Sequence, residues 1–171
     1  PGAGVPEALA LEHVSFAYPG GARVLDDVSF TVPQGARVAL IGPSGSGKST
    51  VAGLLQAHLR PGSGVVRVGG HDATVVPLAW VRAQTAVVAQ STYLFTGTLA
   101  DNLRLADAEA DDAALWHALE QANLADEVRR FPDGLATRVG ERGLSLSGGQ
   151  AQRLAVARAL LKDAPVLLLD E

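Results

Sequence analysis

Apolar and polar residues alternate from Leu9 to Tyr18, where Leu11 and His13 give way to Val14 and Phe16, and again from Leu25 to Val32, where Val28, Phe30 and Val32 share a face. A period of two buries one face of a pleated strand, so both segments predict half-buried strands, with a turn at Pro19-Gly20-Gly21. Arg37–Ile41 (RVALI) is short and continuously apolar and predicts a buried strand. A helix over Ser49–Leu59, a turn at Arg60–Gly64, a strand over Val65–Val68, a short helix over Pro77–Gln84 and a buried strand over Thr85–Ala89 follow.

After Gln90 the period becomes helical. Thr98 is placed to N-cap a short helix through Leu103, and Asp111–Ala122 sets Leu115, Ala118 and Leu119 on one face. Leu124–Arg130 continues in that style. Ser147 reads as the N-cap of a long helix reaching Leu161, with Leu154, Val156, Ala157, Leu160 and Leu161 apolar, and Pro165 opens a last buried strand, Val166–Asp170. Residues 1–8 are rich in Pro, Gly and Ala and read as a linker; no internal repeat is visible. The pattern predicts a single domain over 9–171: a β-rich start leading into an αβ core (9–90), a helical segment (91–158) and a return to the core (159–171).

Composition narrows the field. The chain has 171 residues, 47% of them hydrophobic and 19% charged, which suits one globular domain with a sizeable core. The net charge is -4 and Lys and Arg form no cluster, which argues against a nucleic-acid partner. The sequence holds no Cys, which excludes disulfides, zinc ribbons and thiol chemistry, and its four histidines have no ligand spacing. No stretch approaches the roughly 18 apolar residues of a membrane span.

The chemistry concentrates in three places. Gly42-Pro43-Ser44-Gly45-Ser46-Gly47-Lys48-Ser49 fits G-x-x-x-x-G-K-[ST] at every fixed position, after an apolar run and before a helix, as a phosphate loop requires. A random chain of this length meets those positions on the order of 1% of the time, judged from ordinary residue usage. Gly42, Gly45 and Gly47 let backbone N–H groups face phosphate oxygens, and the helix opening at Lys48 aims its positive end at the same anion. Lys48 is placed for the β- and γ-phosphates, Ser49 for Mg²⁺ and Thr50 for a further phosphate contact. Secondly, the apolar strand Val166–Leu169 delivers Asp170 and Glu171 at its C-terminal end, Asp170 for Mg²⁺ and Glu171 as general base for an attacking water. Alone, that pair is a weak signal; the phosphate loop gives it weight. Thirdly, Ser147-Gly148-Gly149-Gln150 opens the long helix. Ser147 would serve there as a plain cap, but a cap does not need two following glycines.

Leu146-Ser147-Gly148-Gly149-Gln150 is LSGGQ, lying between phosphate loop and acidic strand, and with it the sequence resembles the nucleotide-binding domain of ABC transporters. The resemblance runs from about Leu9 onward. Thr137–Gly143 (TRVGERG) and Thr92–Leu103 (TYLFTGTLADNL) look like the exporter form, as in bacterial exporters with fused membrane domains, the cysteine/glutathione exporter group among them. The resemblance implies an α/β fold: a P-loop NTPase core with an N-terminal antiparallel β subdomain and an inserted α-helical subdomain. It implies ATP and Mg²⁺ as ligands and ATP hydrolysis that powers export. Partners would be transmembrane domains and a second ABC ATPase domain bound head to tail, at the cytoplasmic face of the cell membrane.

By the same resemblance Tyr18 stacks on adenine, Gln90 senses Mg²⁺ and joins Glu171 and Lys48 in catalysis, and Ser147, Gly148, Gly149 and Gln150 contact the γ-phosphate held by the opposite domain. Arg153 makes structural contacts, and TRVGERG meets the loops of the membrane domains. Without the family, Tyr18 reads equally as a strand-end aromatic and Gln90 as an unremarkable residue after a strand. The family pattern continues past the acidic strand to a switch histidine, so the chain reads as a piece of a longer exporter polypeptide, truncated after Glu171, with an unpaired sheet edge and poor turnover of its own. An ATP-binding module without hydrolysis and a non-transport ABC ATPase of DNA repair or translation are the alternatives.

Overall fold

Sheet pairing begins at once in the computed structural model, which describes residues 7–140 and 146–170. The two alternating segments are β1 (Glu7–Ala17) and β2 (Arg23–Pro33), joined by the expected turn, where Gly21 N donates to Tyr18 O over 2.9 Å. A helix, α1 (Lys48–Leu55), follows the phosphate loop, and then come β3 (Ser63–Val68), β4 (His71–Asp72), α2 (Leu78–Gln84) and β5 (Thr85–Val88). The second half holds β6 (Gly97–Thr98), α3 (Leu99–Arg104), α4 (Asp112–Gln121), α5 (Ala125–Arg129), a 3₁₀ turn at Gly134–Ala136, β7 (Arg138–Val139), α6 (Gly148–Leu161) and β8 (Val166–Leu169). The chain forms two compact units, residues 1–85 and 86–171.

In the first unit an antiparallel sheet runs in the order β2-β1-β3-β4. β1 is paired on both sides, and Leu9, Ala10, Leu11, Val14 and Phe16 are all buried; β2, on the edge, buries only Leu25. Besides shifts at the two ends of the pair, the alternation is broken in its middle by two bulges that cancel. Between Leu11↔Phe30 and Val14↔Val28 the extra residue is on β1, and between Val14↔Val28 and Phe16↔Leu25 it is on β2. His13 and Asp27 fill these steps, each with φ 51. Their backbone N–H groups are taken by Ser29 Oγ (2.8 Å) and Ser15 Oγ (3.0 Å), and His13 Nδ1 meets Asp27 Oδ1 at 2.8 Å. A further bulge, on the β1–β3 side, brings Gly64 so close that a Cβ there would lie 2.2 Å from His13 O. α1 lies against β3, burying Val51, Leu54 and Leu55.

In the second unit Leu99, Leu103, Leu115, Leu119 and Val128 from α3, α4 and α5 close around Leu154 and Ala157 of α6. The other side of α6 presents Ala159 to Ala86 and Val88 of β5, which pairs with β8. α6 is thus shared between the helical cluster and the short β5–β8 sheet.

Three expectations are corrected. β8 forms as a strand but is not buried: Val166 and Leu168 are half-buried, and Leu167 and Leu169 are 44% and 63% exposed. Arg37–Ile41 is not a strand: it pairs with no strand, and Val38, Leu40 and Ile41 are 55%, 45% and 91% exposed. An apolar run supplies a tendency to be buried, but a strand exists only through hydrogen-bonded neighbours. The helix after the phosphate loop ends at Leu55 rather than Leu59. Ala57 takes φ 52, its N–H turns back to Leu54 O and His58 N closes on Gly53 O, a Schellman stop built on alanine where glycine is usual.

Candidate functional site

In the phosphate loop Gly45 and Gly47 have φ 82 and φ 92, outside the comfortable range of other residues. Gly47 is the N-cap of α1 and brings no side chain to it, so the first N–H groups of the helix keep their donors. The loop packs too closely for other residues at two points. A Cβ on Gly42 would lie 2.7 Å from Ser46 Oγ, and one on Gly47 would lie 2.7 Å from Leu25 Cδ2. Pro43 O accepts from Ser46 N at 3.2 Å, and Gly42, Pro43, Ser44, Gly45, Ser46 and Ser49 are exposed.

The Lys48 ammonium turns back over the loop, donating to Gly42 O (2.7 Å), Pro43 O (3.0 Å) and Ser46 Oγ (3.4 Å). A cation is therefore held beside a helix start that has no side-chain cap, an arrangement that fits a polyphosphate. Thr50 is buried, and its Oγ1 lies 3.2 Å from Tyr18 Oη. The Tyr18 ring, packed edge-on against Phe16 at 5.0 Å, is 45% exposed, which leaves one face for a flat ligand. Tyr18, Thr50, Lys48 and the glycine loop thus belong to one surface of the first unit. A cavity of about 110 Å³ beside the end of α1, among Leu54, Leu59, Val66 and Val76, is lined by none of the expected site residues.

In the second unit Asp170 N donates to Val88 O at 2.9 Å, so β5 and β8 end together and Gln90 and Asp170 leave the sheet at the same end. Gln90 is exposed and Asp170 half-buried. Each carries a side-chain oxygen of the kind Mg²⁺ takes, as Ser49 does in the first unit. Glu171 lies outside the described residues, as do Glu141, Arg142 and Gly143 of TRVGERG. The described part of that segment is β7, which pairs with β6 through Gly97↔Val139 and Thr98↔Arg138.

At α6, Ser147 Oγ accepts from Gln150 N at 3.2 Å and Gln150 Oε1 accepts from Ser147 N at 2.8 Å, a complete capping box. The cap and an anion contact are compatible. The cap uses a lone pair of the hydroxyl, and its proton stays available. Gly148 and Gly149 are exposed, and their N–H groups precede the one the cap takes. Arg153 does make a structural contact, an ion pair with Glu127.

Three residues of this unit escape sequence reading. Asn102, fully buried, accepts from Phe95 N (3.0 Å) and donates to Phe95 O (2.8 Å) and Thr98 O (2.9 Å). Arg158 donates to Asn102 O and Tyr93 O, each at 2.9 Å, and to Asn102 Oδ1; burial lowers its pKa. Glu127 receives Gln150 Nε2 at 2.7 Å. The only local signal is a polar residue on an otherwise apolar face; partners 23 or 56 positions away do not show in a periodicity.

The sequence pattern of the ABC transporter family matches residues 25–171. The chain belongs to that family. It is a nucleotide-binding domain similar to those of exporters. An ATP-bound bacterial exporter of the Atm1 family superposes with a TM-score of 0.91 at 41% identity, over 97% of this chain and 29% of that one. A mitochondrial potassium channel ATP-binding subunit of Rattus norvegicus is 42% identical over 167 residues, 96% of this chain and 23% of the relative. The ABC transporter B family member 1 of Arabidopsis thaliana is 43% identical over 94% of this chain and 13% of its own length. The uncharacterized ABC transporter ATP-binding protein YwjA of Bacillus subtilis is 40% identical over 98% and 29%. The chain thus spans less than a third of the length of these relatives, and their spread from animal to plant to bacterium does not single out bacteria.

Proposed function

We propose that this domain binds and hydrolyses MgATP and that the protein carrying it exports a substrate across a membrane, with two such domains closing head to tail on two nucleotides. The observation that carries the reading is the phosphate loop, where Lys48 lies over the carbonyls of Gly42 and Pro43 at a helix end that has no side-chain cap. On this reading Lys48 leaves those carbonyls for the β- and γ-phosphates, a charge-assisted exchange that favours the anion. The loop N–H groups orient the phosphate chain, Tyr18 stacks on the base and Thr50 adds a phosphate contact. Mg²⁺ neutralises phosphate charge when bound; Ser49, Gln90 and Asp170 are the residues to hold it, and Glu171 draws the proton from the attacking water. Ser147, Gly148, Gly149 and Gln150 stabilise the γ-phosphate of the nucleotide held by the opposite domain.

The exporter part of the reading is supported by the match to the Atm1-family exporter and by the exporter-like wording of Thr92–Leu103 and Thr137–Gly143. It places the domain at the cytoplasmic face of a membrane, against transmembrane domains. No helix among the described residues is long and apolar enough to cross a membrane.

The test is equilibrium binding of MgATP to the 171-residue chain beside Lys48→Ala. Saturable binding that the substitution lowers at least tenfold is the expected outcome, on the scale of a lost charge-assisted contact. Equal binding by both proteins would remove the phosphate-loop reading. Binding without any phosphate release from the complete protein would leave a nucleotide-binding module rather than an ATPase.

A further inference from the structure

We infer that Glu127 is a positioning residue for the Ser147–Gln150 turn, acting through the side-chain amide of Gln150. The inference rests on the proposed role of that turn at a γ-phosphate, and none of the motifs in the sequence includes Glu127.

The argument starts from hydrogen-bond polarity. An ionised carboxylate only accepts, whereas a glutamine amide has one accepting and one donating end. Glu127 Oε2, on α5, accepts from Gln150 Nε2 at 2.7 Å. That contact fixes which way the amide faces, because the reversed amide would set two oxygens against each other. With its nitrogen held by Glu127, Gln150 must present Oε1 to the helix end, where it accepts from Ser147 N at 2.8 Å. That bond holds the backbone of Ser147 (φ -61, ψ 158), and so the direction of its hydroxyl and of the Gly148 and Gly149 N–H groups. The other oxygen of Glu127 accepts from Arg153 Nη2, one turn further along α6, an ion pair separate from the bond to Gln150. Exposed glycines have no side chains of their own to fix the turn, so its shape depends on this outside brace. The positioning chain runs from Glu127 to Gln150 and from Gln150 to the Ser147 backbone.

Two roles are separable. If Glu127 only ties α5 to α6, the ion pair with Arg153 is what matters. If it positions the turn, its bond to Gln150 is what matters. Glu127→Ala removes both contacts, while Arg153→Ala removes only the ion pair and leaves Glu127 in place for Gln150. The experiment measures kcat for ATP, the Kd for MgATP and the thermal midpoint in the complete protein. Glu127→Ala should lower kcat about tenfold, the scale of removing a residue that orients a ligand-contacting group, with Kd changed less than about twofold. Arg153→Ala should keep most of kcat. On a Gln150→Ala background Glu127→Ala should cost nothing further in kcat, since the group it acts through is gone.

Equal loss of kcat in Glu127→Ala and Arg153→Ala would overturn the inference, as would a full additional loss on the Gln150→Ala background. Parallel loss of MgATP binding and thermal midpoint in Glu127→Ala would make it a folding residue and also overturn it. Ser147→Ala distinguishes the underlying reading. If it leaves kcat intact while Lys48→Ala abolishes it, the turn has no role in turnover, and the proposed role of the turn fails rather than the brace. If Ser147→Ala lowers kcat and Glu127→Ala does not, the brace alone fails.

Discussion

Replacing Gly47 by alanine tests the phosphate loop as a built object rather than a motif. Two costs add. The backbone at Gly47 has φ 92, where an L-residue is strained by about 1–2 kcal/mol. The new Cβ would also stand 2.7 Å from Leu25 Cδ2 and 3.4 Å from Val24 Cγ1. Leu25 is the one buried residue of β2 and cannot move away freely, so overpacking adds about 1–3 kcal/mol. Alanine lowers the entropy of the unfolded chain and returns about 0.4–1 kcal/mol. The net expectation is a loss of about 1–5 kcal/mol, or about 2–20 °C in melting temperature for a chain of this length. Gly45 supplies the control. Its φ is 82, but a Cβ there meets nothing within 4 Å, so Gly45→Ala carries the backbone strain without the collision and should cost about 0–2 kcal/mol. Thermal and urea melts of both variants give the comparison. On a Leu25→Ala background, Gly47→Ala should cost no more than Gly45→Ala does alone. Equal shifts for the two glycine variants in the original chain would refute the reasoning, because the contact with β2 would then contribute nothing.

Asn102→Ala should destabilise by about 2–4 kcal/mol, because it leaves Phe95 N, Phe95 O and part of Arg158 without their buried partner. Hydrogen exchange should speed up at Phe95 while amides in the α1 interior stay as they were; unchanged protection at Phe95 would contradict this. The capping box of α3 gives a pH prediction. The Thr98 backbone N–H, and then the Thr98 side chain, hold the Asp101 carboxyl below its usual range. A depressed pKa contributes stability that is complete above the unfolded value and is lost as pH falls through the lower folded one. Asp101→Asn should therefore flatten part of the loss of helical circular dichroism between about pH 4 and pH 2, and an unchanged acid limb would speak against the cap.

Most helices and sheet strands were legible because each carries its own period. β1, β2, α3, α4 and α6 appear within a residue or two of the expected ends, and the Thr98 and Ser147 caps are the expected residues. The failures come from what a local pattern lacks. RVALI has the composition of a buried strand, but composition does not name a neighbour. The end of α1 was hidden because Ala57 takes the left-handed conformation normally announced by glycine or asparagine, as Asn123 announces the end of α4. β4, β6 and β7 have two residues each, too short to show an alternation. The bulges at His13 and Asp27 interrupt the period of two without any glycine to mark them; only Ser15 and Ser29, which satisfy the displaced N–H groups, hint at them in retrospect. The phosphate loop was legible for the opposite reason, since its glycines are required by φ and by space at fixed spacing. Glu127 and Asn102 act through distant partners and leave no such mark.

The two helix ends singled out by the sequence solve the same electrostatic problem differently, and the difference bears on what each can bind. α1 begins at a glycine with no side-chain cap and has Lys48 folded over the approach, so its full set of first-turn donors and a cation face one volume. α6 begins with a closed capping box that commits the Gln150 N–H and leaves Gly148, Gly149 and the Ser147 proton. Arg153, the basic side chain that comes up to Gly149, is committed to Glu127. Judged by donors and charge, the first end should hold a polyphosphate alone, whereas the second should be a weak anion site that gains strength only against a phosphate already fixed by something else. Such an asymmetry is what a composite nucleotide site needs. If both ends bound phosphate tightly, each domain would saturate by itself and nucleotide would do little to bring two domains together. Under the proposed head-to-tail closure, a strong end and a weak end would make the γ-phosphate, held by one domain, the group that recruits the other. Isothermal titration of inorganic phosphate or sulfate into the chain carrying Lys48→Ala should accordingly reveal no tight anion site at α6.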